Sequence, residues 1–195
     1  MGKIFPDSFE QLGEDIYVYR NFISWEELKT INDLILSLNE EEWIHDESIF
    51  GMLWNKISSP HKELQFMRER IIDLLPEGLY LGHSTAFTRL FTDDFWGPHA
   101  DAHDFYPIRE KAAQLKENEP FIWADNEKWG LVVYFNEFEG GEIYYPHQNI
   151  EYKPNPGDLV IHSAEENCLH GVKPVKSKVR YSHSNHLFEK IKIPA

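Results

Sequence analysis

Along the chain, the hydrophobic and polar positions first read as helices and later as strands. Ile16-Tyr17-Val18-Tyr19-Arg20 is β-branched and aromatic and predicts a short strand. Ser24 is a good N-cap, and Glu27 three residues later completes a capping box. Leu28, Ile31, Leu34, Ile35 and Leu38 then fall on one face at helical spacing, which predicts a support helix on the back of a sheet. Residues 39–60 are mixed, with Trp43, Phe50, Trp54 and Pro60, and read as a strand plus a loop. Leu64, Met67, Ile71, Ile72 and Leu75 mark a second helix, stopped by Pro76 and Gly78.

From Leu79 the pattern turns to strands. Ser84–Phe91 reads as one, and another carries His99 after Thr92-Asp93-Asp94. Residues 105–128 form an insertion with a polar helical piece at Arg109–Lys116. Trp129–Phe135 is a near-continuous apolar strand, and Glu139-Gly140-Gly141-Glu142 is a turn. Strands at Ile143–Tyr145, Ile150–Lys153, Asp158–His162, Cys168–Val172 and Val179–Leu187 close the set. Two helices followed by about eight short strands predict a mainly β sandwich or jelly roll with N-terminal helices, not βαβ units.

Composition narrows the function classes. The 195 residues suit one domain, 1–195, large enough to bury a sizeable core. Aromatics make up 14%, with six Trp, which fits a β-rich core and a lined pocket. The net charge of −14 repels nucleic-acid phosphates and anionic membranes, and the best basic patch, Lys173 to Arg180, is short. No nucleic-acid or membrane partner is therefore expected, and a neutral or basic substrate is favoured. Cys168 is the single cysteine; it excludes an intramolecular disulfide framework, fits a reducing compartment and reads as a small buried filler on a strand. Met1–Asp7 has no apolar run of signal-peptide type and no segment is long enough to span a bilayer, so a soluble, cytoplasmic protein is expected. Oligomeric state is not legible.

The chemistry gathers around Trp96-Gly97-Pro98-His99-Ala100-Asp101-Ala102-His103-Asp104. Side chains two residues apart on a strand share a face, so His99 and Asp101 offer an imidazole and a carboxylate to one point. His170, in Leu169-His170-Gly171-Val172, completes two His and one carboxylate, the pattern that leaves coordination positions open on non-haem Fe(II). His103 is an internal rival, because His-x-Asp-x-His also suits zinc. Ten residues after His170, Arg180-Tyr181-Ser182 puts a fixed cation and a hydroxyl on one strand face; Lys178 shares that parity. His162 reads as a satisfied core histidine, and Asn136 and Glu142 as turn residues. Trp96, Trp123 and Trp129 read as groove or core aromatics.

In ordered combination these residues resemble the Fe(II)- and 2-oxoglutarate-dependent dioxygenases, in the prolyl 4-hydroxylase-like branch. The resemblance rests on His99-x-Asp101, His170 and Arg180 ten residues later. Val133-Tyr134-Phe135-Asn136, Gly140-Gly141-Glu142, Pro156-Gly157-Asp158-Leu159-Val160 and the helix entry Asn21-Phe22-Ile23-Ser24-Trp25-Glu26-Glu27 reinforce it. It implies a double-stranded β-helix (jelly roll) with His99, Asp101 and His170 as metal ligands. It also implies Arg180, helped by Ser182, on the distal carboxylate of 2-oxoglutarate. The cofactors implied are Fe(II), 2-oxoglutarate and O2, with ascorbate as an accessory. The reaction implied is hydroxylation of a C–H bond with release of succinate and CO2. Peptidyl proline is the first-ranked substrate, ahead of a free amino acid or another small molecule. Residues 43–60 and 105–128 are then expected to cover the substrate mouth.

Two positions depart from the family pattern. Leu90 stands where a carboxylate-binding Tyr is usual, nine residues before His99, and Tyr134 is the candidate replacement. His186 stands where the family often has Trp. Alternative readings are a cupin-type metal-binding protein, from Pro156–His162, or a non-catalytic jelly-roll interaction module; succinate release separates the first reading from both.

Overall fold

The computed structural model describes residues 5–47, 53–57, 64–82, 87–101 and 127–189. In chain order, β1 (Glu10–Gly13) and β2 (Ile16–Tyr19) lead into α1 (Trp25–Ser37); β3 (Ile44–Glu47) and β4 (Leu53–Ile57) precede α2 (Gln65–Leu74). Then come β5 (Leu79–Leu81), β6 (Phe87–Leu90) and β7 (Trp96–His99). After residues 102–126, which lie outside the described chain, follow β8 (Glu127–Tyr134), β9 (Glu139–Gly140), β10 (Ile143–Tyr145) and β11 (Ile150–Tyr152). The remainder is β12 (Leu159–Ser163), β13 (His170–Val172), β14 (Val175–Ser177) and β15 (Arg180–Glu189).

Nine strands form a large sheet in the order β1-β2-β12-β8-β15-β6-β4-β3, with β5 paired to β15. A second sheet runs β11-β10-β13-β7, and β14 pairs with β9. From β7 onward the chain passes back and forth between the two main sheets, with β7, β10, β11 and β13 in the smaller and β8, β12 and β15 in the larger, giving the predicted double-stranded β-helix. Two apolar clusters explain the layering. Tyr17, Leu131, Val133, Leu159, Ile161 and Leu187 on one face of the large sheet pack with Leu28, Ile31, Ile35, Met67 and Ile71 of the helices. On the other face Ile16, Val18, Tyr134 and Val160 pack with Ile143, Tyr145 and Tyr152 of the smaller sheet. Because strand side chains alternate, one sheet serves two cores with opposite parities.

The predicted capping box is present: Ser24 Oγ accepts from Glu27 N and Glu27 Oε2 from Ser24 N. Glu27 also reaches the second helix, where Arg70 donates to Oε1 at 2.5 Å and to the Phe22 carbonyl at 2.6 Å. This ties the entry of α1 to α2.

Several boundaries differ from the sequence reading. Where one strand and a loop were expected in residues 39–60, the described residues form two strands that extend the edge of the large sheet, β4 pairing with β6. The strand predicted at Ser84 is described only as Phe87–Leu90. Ile72 is 48% exposed and off the buried stripe of α2. Cys168 ends a single 3₁₀ turn, Glu166–Cys168, and does not sit on a strand. Most of the 105–128 insertion, with Arg109–Lys116, Trp123 and the rival His103, lies outside the described residues, as do parts of the proposed 43–60 cover. No helix among the described residues is long and apolar enough to cross a membrane.

The Arg70 guanidinium holds the Glu27 carboxyl at about 2, despite the opposing effect of burial. A depressed folded pKa stabilises above the unfolded value and is lost as pH falls through the folded one. Glu27→Gln should therefore cost about 1 kcal/mol at pH 7, the partly exposed pair being screened. That deficit should vanish as pH falls from about 4.5 to about 2; urea melts of both proteins across this range check it.

Candidate metal and anion site

β7 and β13 are adjacent in the smaller sheet, with His99 directly opposite His170. Strand pairing, rather than proximity in sequence, brings these imidazoles together, 4.4 Å between ring centroids. β7 ends at His99, so Asp101 lies beyond the strand and the period-two argument for the pair does not hold; the chain leaves the strand and still delivers the carboxylate. His99 Nε2 stands 3.5 Å from Asp101 Oδ1 and His170 Nε2 3.9 Å from the same oxygen. The candidate ligand atoms of all three residues lie within 4.8 Å of one another. Both Nδ1 atoms are taken by backbone carbonyls, His99 to Gly97 at 3.0 Å and His170 to Cys168 at 3.1 Å. Donation through Nδ1–H leaves each Nε2 as a lone pair aimed at the cluster, the orientation a metal requires.

The large sheet forms the opposite wall. His162, Gly130 and His186 stand side by side on β12, β8 and β15. His162 is fully buried, with Nε2 3.3 Å from Asp101 Oδ2 and Nδ1 3.0 Å from the Tyr145 hydroxyl. His186 forms a close ion pair with the buried Glu127, and both approach Asp101. Burial alone would raise the Asp101 carboxyl; the surrounding His170, His162 and His99 outweigh it and hold the group well below the usual carboxylate range. Burial and the neighbouring His162 keep His170 well below the ordinary imidazole value, so it stands neutral, as a ligand must.

Four residues back along β15 from His186, Ser182 faces Tyr134 of β8. Arg180 is buried here and donates through Nη1 to Ser182 Oγ at 3.0 Å, its guanidinium 4.9 Å from the Tyr134 ring centroid. Its Nε and the Tyr134 hydroxyl find no hydrogen-bond partner among the described residues. No carboxylate pairs with Arg180 there, and burial lowers its pKa. A desolvated cation without a carboxylate partner is costly, and an anion would complete its coordination. Leu90 is buried opposite Arg180 on β6, while Tyr134 comes from the other flanking strand. The replacement suggested by sequence is thus next to the cation.

Between these two groups the sheet presents Val160, Val132 and Ser184. Ser184 is exposed and Val132 half-buried although both lie mid-sheet, so the inner face is open there. The rows of His186 and Ser182 are separated by about 13 Å of strand. The residues therefore set candidate metal donors at one end of this row and, at the other, a cation without a carboxylate partner among the described residues.

Other expectations sort differently. Lys178 has φ +61° in the turn before β15, so strand parity does not apply to it; it is exposed and pairs with Glu137 at 3.7 Å. Asn136 does more than serve a turn: its Nδ2 donates to the Val179 carbonyl at 2.7 Å and its Oδ1 accepts from Tyr181 N at 2.9 Å, clamping the residues on either side of Arg180. Trp129 is core, whereas Trp96 packs 5.7 Å from the His99 ring. The sequence reading missed Gly130, Tyr145 and Glu127; only register identifies them.

No family model and no curated protein sequence matches the chain. Solved structures do. A viral collagen prolyl hydroxylase from Paramecium Bursaria Chlorella virus-1, in complex with 2-oxoglutarate, superposes with TM-score 0.62 at 14% identity, over 92% of this chain and 98% of that one. A Pseudomonas putida prolyl 4-hydroxylase gives 0.61 at 16%, covering 90% and 93%. A Trichoplax adhaerens prolyl hydroxylase bound to a hypoxia inducible factor peptide gives 0.63 at 13%, covering 90% and 84%. At such identities the likeness establishes the fold, the jelly roll these oxygenases share.

Cys168 is sealed behind this site, its carbonyl holding His170 and its Sγ 3.4 Å from the Glu14 carbonyl. Burial pushes its thiol up to about 11. Native protein at pH 8 should label with a thiol reagent at least a hundredfold more slowly than in denaturant, because both thiolate fraction and access are small; mass spectrometry over time checks this.

Proposed function

We propose that the protein is an Fe(II)- and 2-oxoglutarate-dependent dioxygenase of prolyl 4-hydroxylase-like chemistry. The observation that carries this reading is the pairing, across this row, of the His99–Asp101–His170 cluster with a buried Arg180 that lacks an anionic partner among the described residues. The donor set fits: two neutral imidazoles and one carboxylate match the facial triad of non-haem iron and leave positions for a co-substrate.

His99, Asp101 and His170 would hold Fe(II), their rings fixed by the Gly97 and Cys168 carbonyls. Arg180 would fork onto the far carboxylate of 2-oxoglutarate, with Ser182 and the Tyr134 hydroxyl beside it. Asn136 keeps that strand end in register. Bound there, the iron supplies oxidation by O2, one oxygen atom entering a substrate C–H bond and the other leaving in succinate as CO2 is released. Ascorbate would keep the iron reduced between turnovers.

Peptidyl proline is the substrate we favour. Three of the similar structures are prolyl hydroxylases, one of them holding a peptide. A net charge of −14 favours neutral or basic sequences around the target. A free amino acid or another small molecule ranks behind it. We infer a single domain acting in the cytoplasm.

The test is succinate release with Fe(II) and ascorbate against proline-containing peptides and free amino acids. Parent protein should turn over at least one, and Asp101→Ala none. Absence of both metal binding and succinate would overturn the reading in favour of an interaction module; metal binding without any 2-oxoglutarate response would favour a cupin-type activity. Arg180→Ala should retain the metal and weaken 2-oxoglutarate by about tenfold to a hundredfold, a charged buried hydrogen bond being worth about 1.5–3 kcal/mol. Arg180→Lys should recover part of this and Lys178→Ala should change nothing, as read by titrating the metal–2-oxoglutarate absorbance.

A further inference from the structure

The Asp101 carboxylate has two oxygens in different surroundings. Oδ1 faces His99 Nε2 at 3.5 Å and His170 Nε2 at 3.9 Å. Oδ2 faces away from them, 3.3 Å from His162 Nε2. The carboxylate rests directly on the backbone of β8: a Cβ built on Gly130 would meet Asp101 Oδ2 at 2.1 Å and His162 Nε2 at 2.6 Å. Any side chain there would have to displace the Asp101 carboxylate and the His162 ring. His162 in turn packs against the His170 ring, with centroids 3.9 Å apart and ring planes tilted by 47°.

Two contacts hold the His162 ring: Nδ1 lies 3.0 Å from the hydroxyl of the fully buried Tyr145, and Nε2 3.3 Å from Asp101 Oδ2. With Nε2 donating to the carboxylate, Nδ1 is left to accept from the hydroxyl. The reverse arrangement would set an imidazole lone pair against a buried carboxylate. On the other flank, His186 and Glu127 form a close pair that also approaches Asp101.

We propose that His162 is a positioning residue: oriented by Tyr145 and given room by Gly130, it holds Oδ2 of Asp101 so that Oδ1 alone faces the metal. The inference rests on the metal reading above. Its consequence is chemical. A carboxylate free to rotate can chelate through both oxygens and fill a position that a co-substrate needs; one whose second oxygen accepts a hydrogen bond binds through the first. His162 therefore helps to keep the triad open, without being a ligand.

Co(II) titration of the metal-free protein, followed by its visible absorption, tests this without any turnover. Parent protein should bind Co(II), and Asp101→Ala should not. His162→Phe should weaken Co(II) about tenfold to a hundredfold, the usual effect of removing a group that orients a ligand. His162→Gln, whose amide can donate to the same oxygen, should recover part of the loss with the parent spectrum. Tyr145→Phe should cost less than His162→Phe, and Gly130→Ala at least as much. A merely structural role would lower the melting temperatures of metal-free and Co(II)-loaded protein alike and leave the affinity unchanged. If His162→Phe does not fold, His162→Gln and Tyr145→Phe carry the test, and parent-like Co(II) affinity and spectrum in His162→Gln together with parent affinity in Tyr145→Phe would overturn the proposal. Parent affinity in His162→Phe would do the same. A His162→Gln protein with a changed spectrum and full loss of affinity would make His162 a fourth ligand, also overturning it. If instead Asp101→Ala binds as the parent does, the metal reading itself fails, and the proposal with it.

Discussion

A carboxylate is buried between two β-sheets, and the rest of the site is arranged to make that tolerable. Desolvating Asp101 in isolation would cost several kcal/mol and protonate it. The fold surrounds it with imidazoles from three strands instead, His99 on β7, His162 on β12 and His170 on β13. Each of these rings is oriented by a second contact, to the carbonyls of Gly97 and Cys168 or to the Tyr145 hydroxyl. The arrangement exists only when both sheets are formed and in register. A shift of one residue in the β12–β8 pairing would set a side chain opposite His162, where Gly130 now leaves room for the Asp101 carboxylate.

The second charge obeys the same constraint in the opposite sense. Arg180 is buried farther along the sheet, held by Ser182 and flanked by aromatic rings. Asp101 and Arg180 do not neutralise one another, because the Val160, Val132 and Ser184 row separates them. Under the proposed function, two opposite charges kept apart in this way would suit a molecule that is anionic at one end and coordinates metal at the other. The stability forgone by leaving Arg180 without a carboxylate partner among the described residues would then be the physical basis for selecting such a molecule.

The local chemistry of this design was legible in the chain. Ser24 and Glu27 announce the start of α1, and Leu28, Ile31 and Ile35 its buried stripe, because a cap and a 3.6-residue period are short-range properties. His99, Asp101, His170 and Arg180 were also found, although strand parity was the wrong reason for Asp101, which lies beyond the end of β7. The edge strands β3 and β4 were half-missed, since their pairing with β6 is a tertiary fact that no local pattern encodes.

What stayed illegible shares a cause. Gly130 in Trp129-Gly130-Leu131 reads as a weak point in a strand, and only the approach of Asp101 gives it a purpose. His162 reads as an ordinary buried histidine at the end of β12, and its meaning comes from Tyr145 on one side and Asp101 on the other, far away in sequence. Lys178 competed with Arg180 on parity until its left-handed backbone removed it from the strand. Tyr134 was recognised for its type, yet its place depends on β8 and β6 flanking β15 from opposite sides. Under the proposed function, a tyrosine missing at Leu90 would be supplied from the other neighbour without moving the cation. A jelly roll gives each inner-face position two lateral neighbours, so one pocket can be furnished by alternative strands. Motif order can persist while individual contacts change hands, and register, more than residue identity, is what the site requires of the sequence.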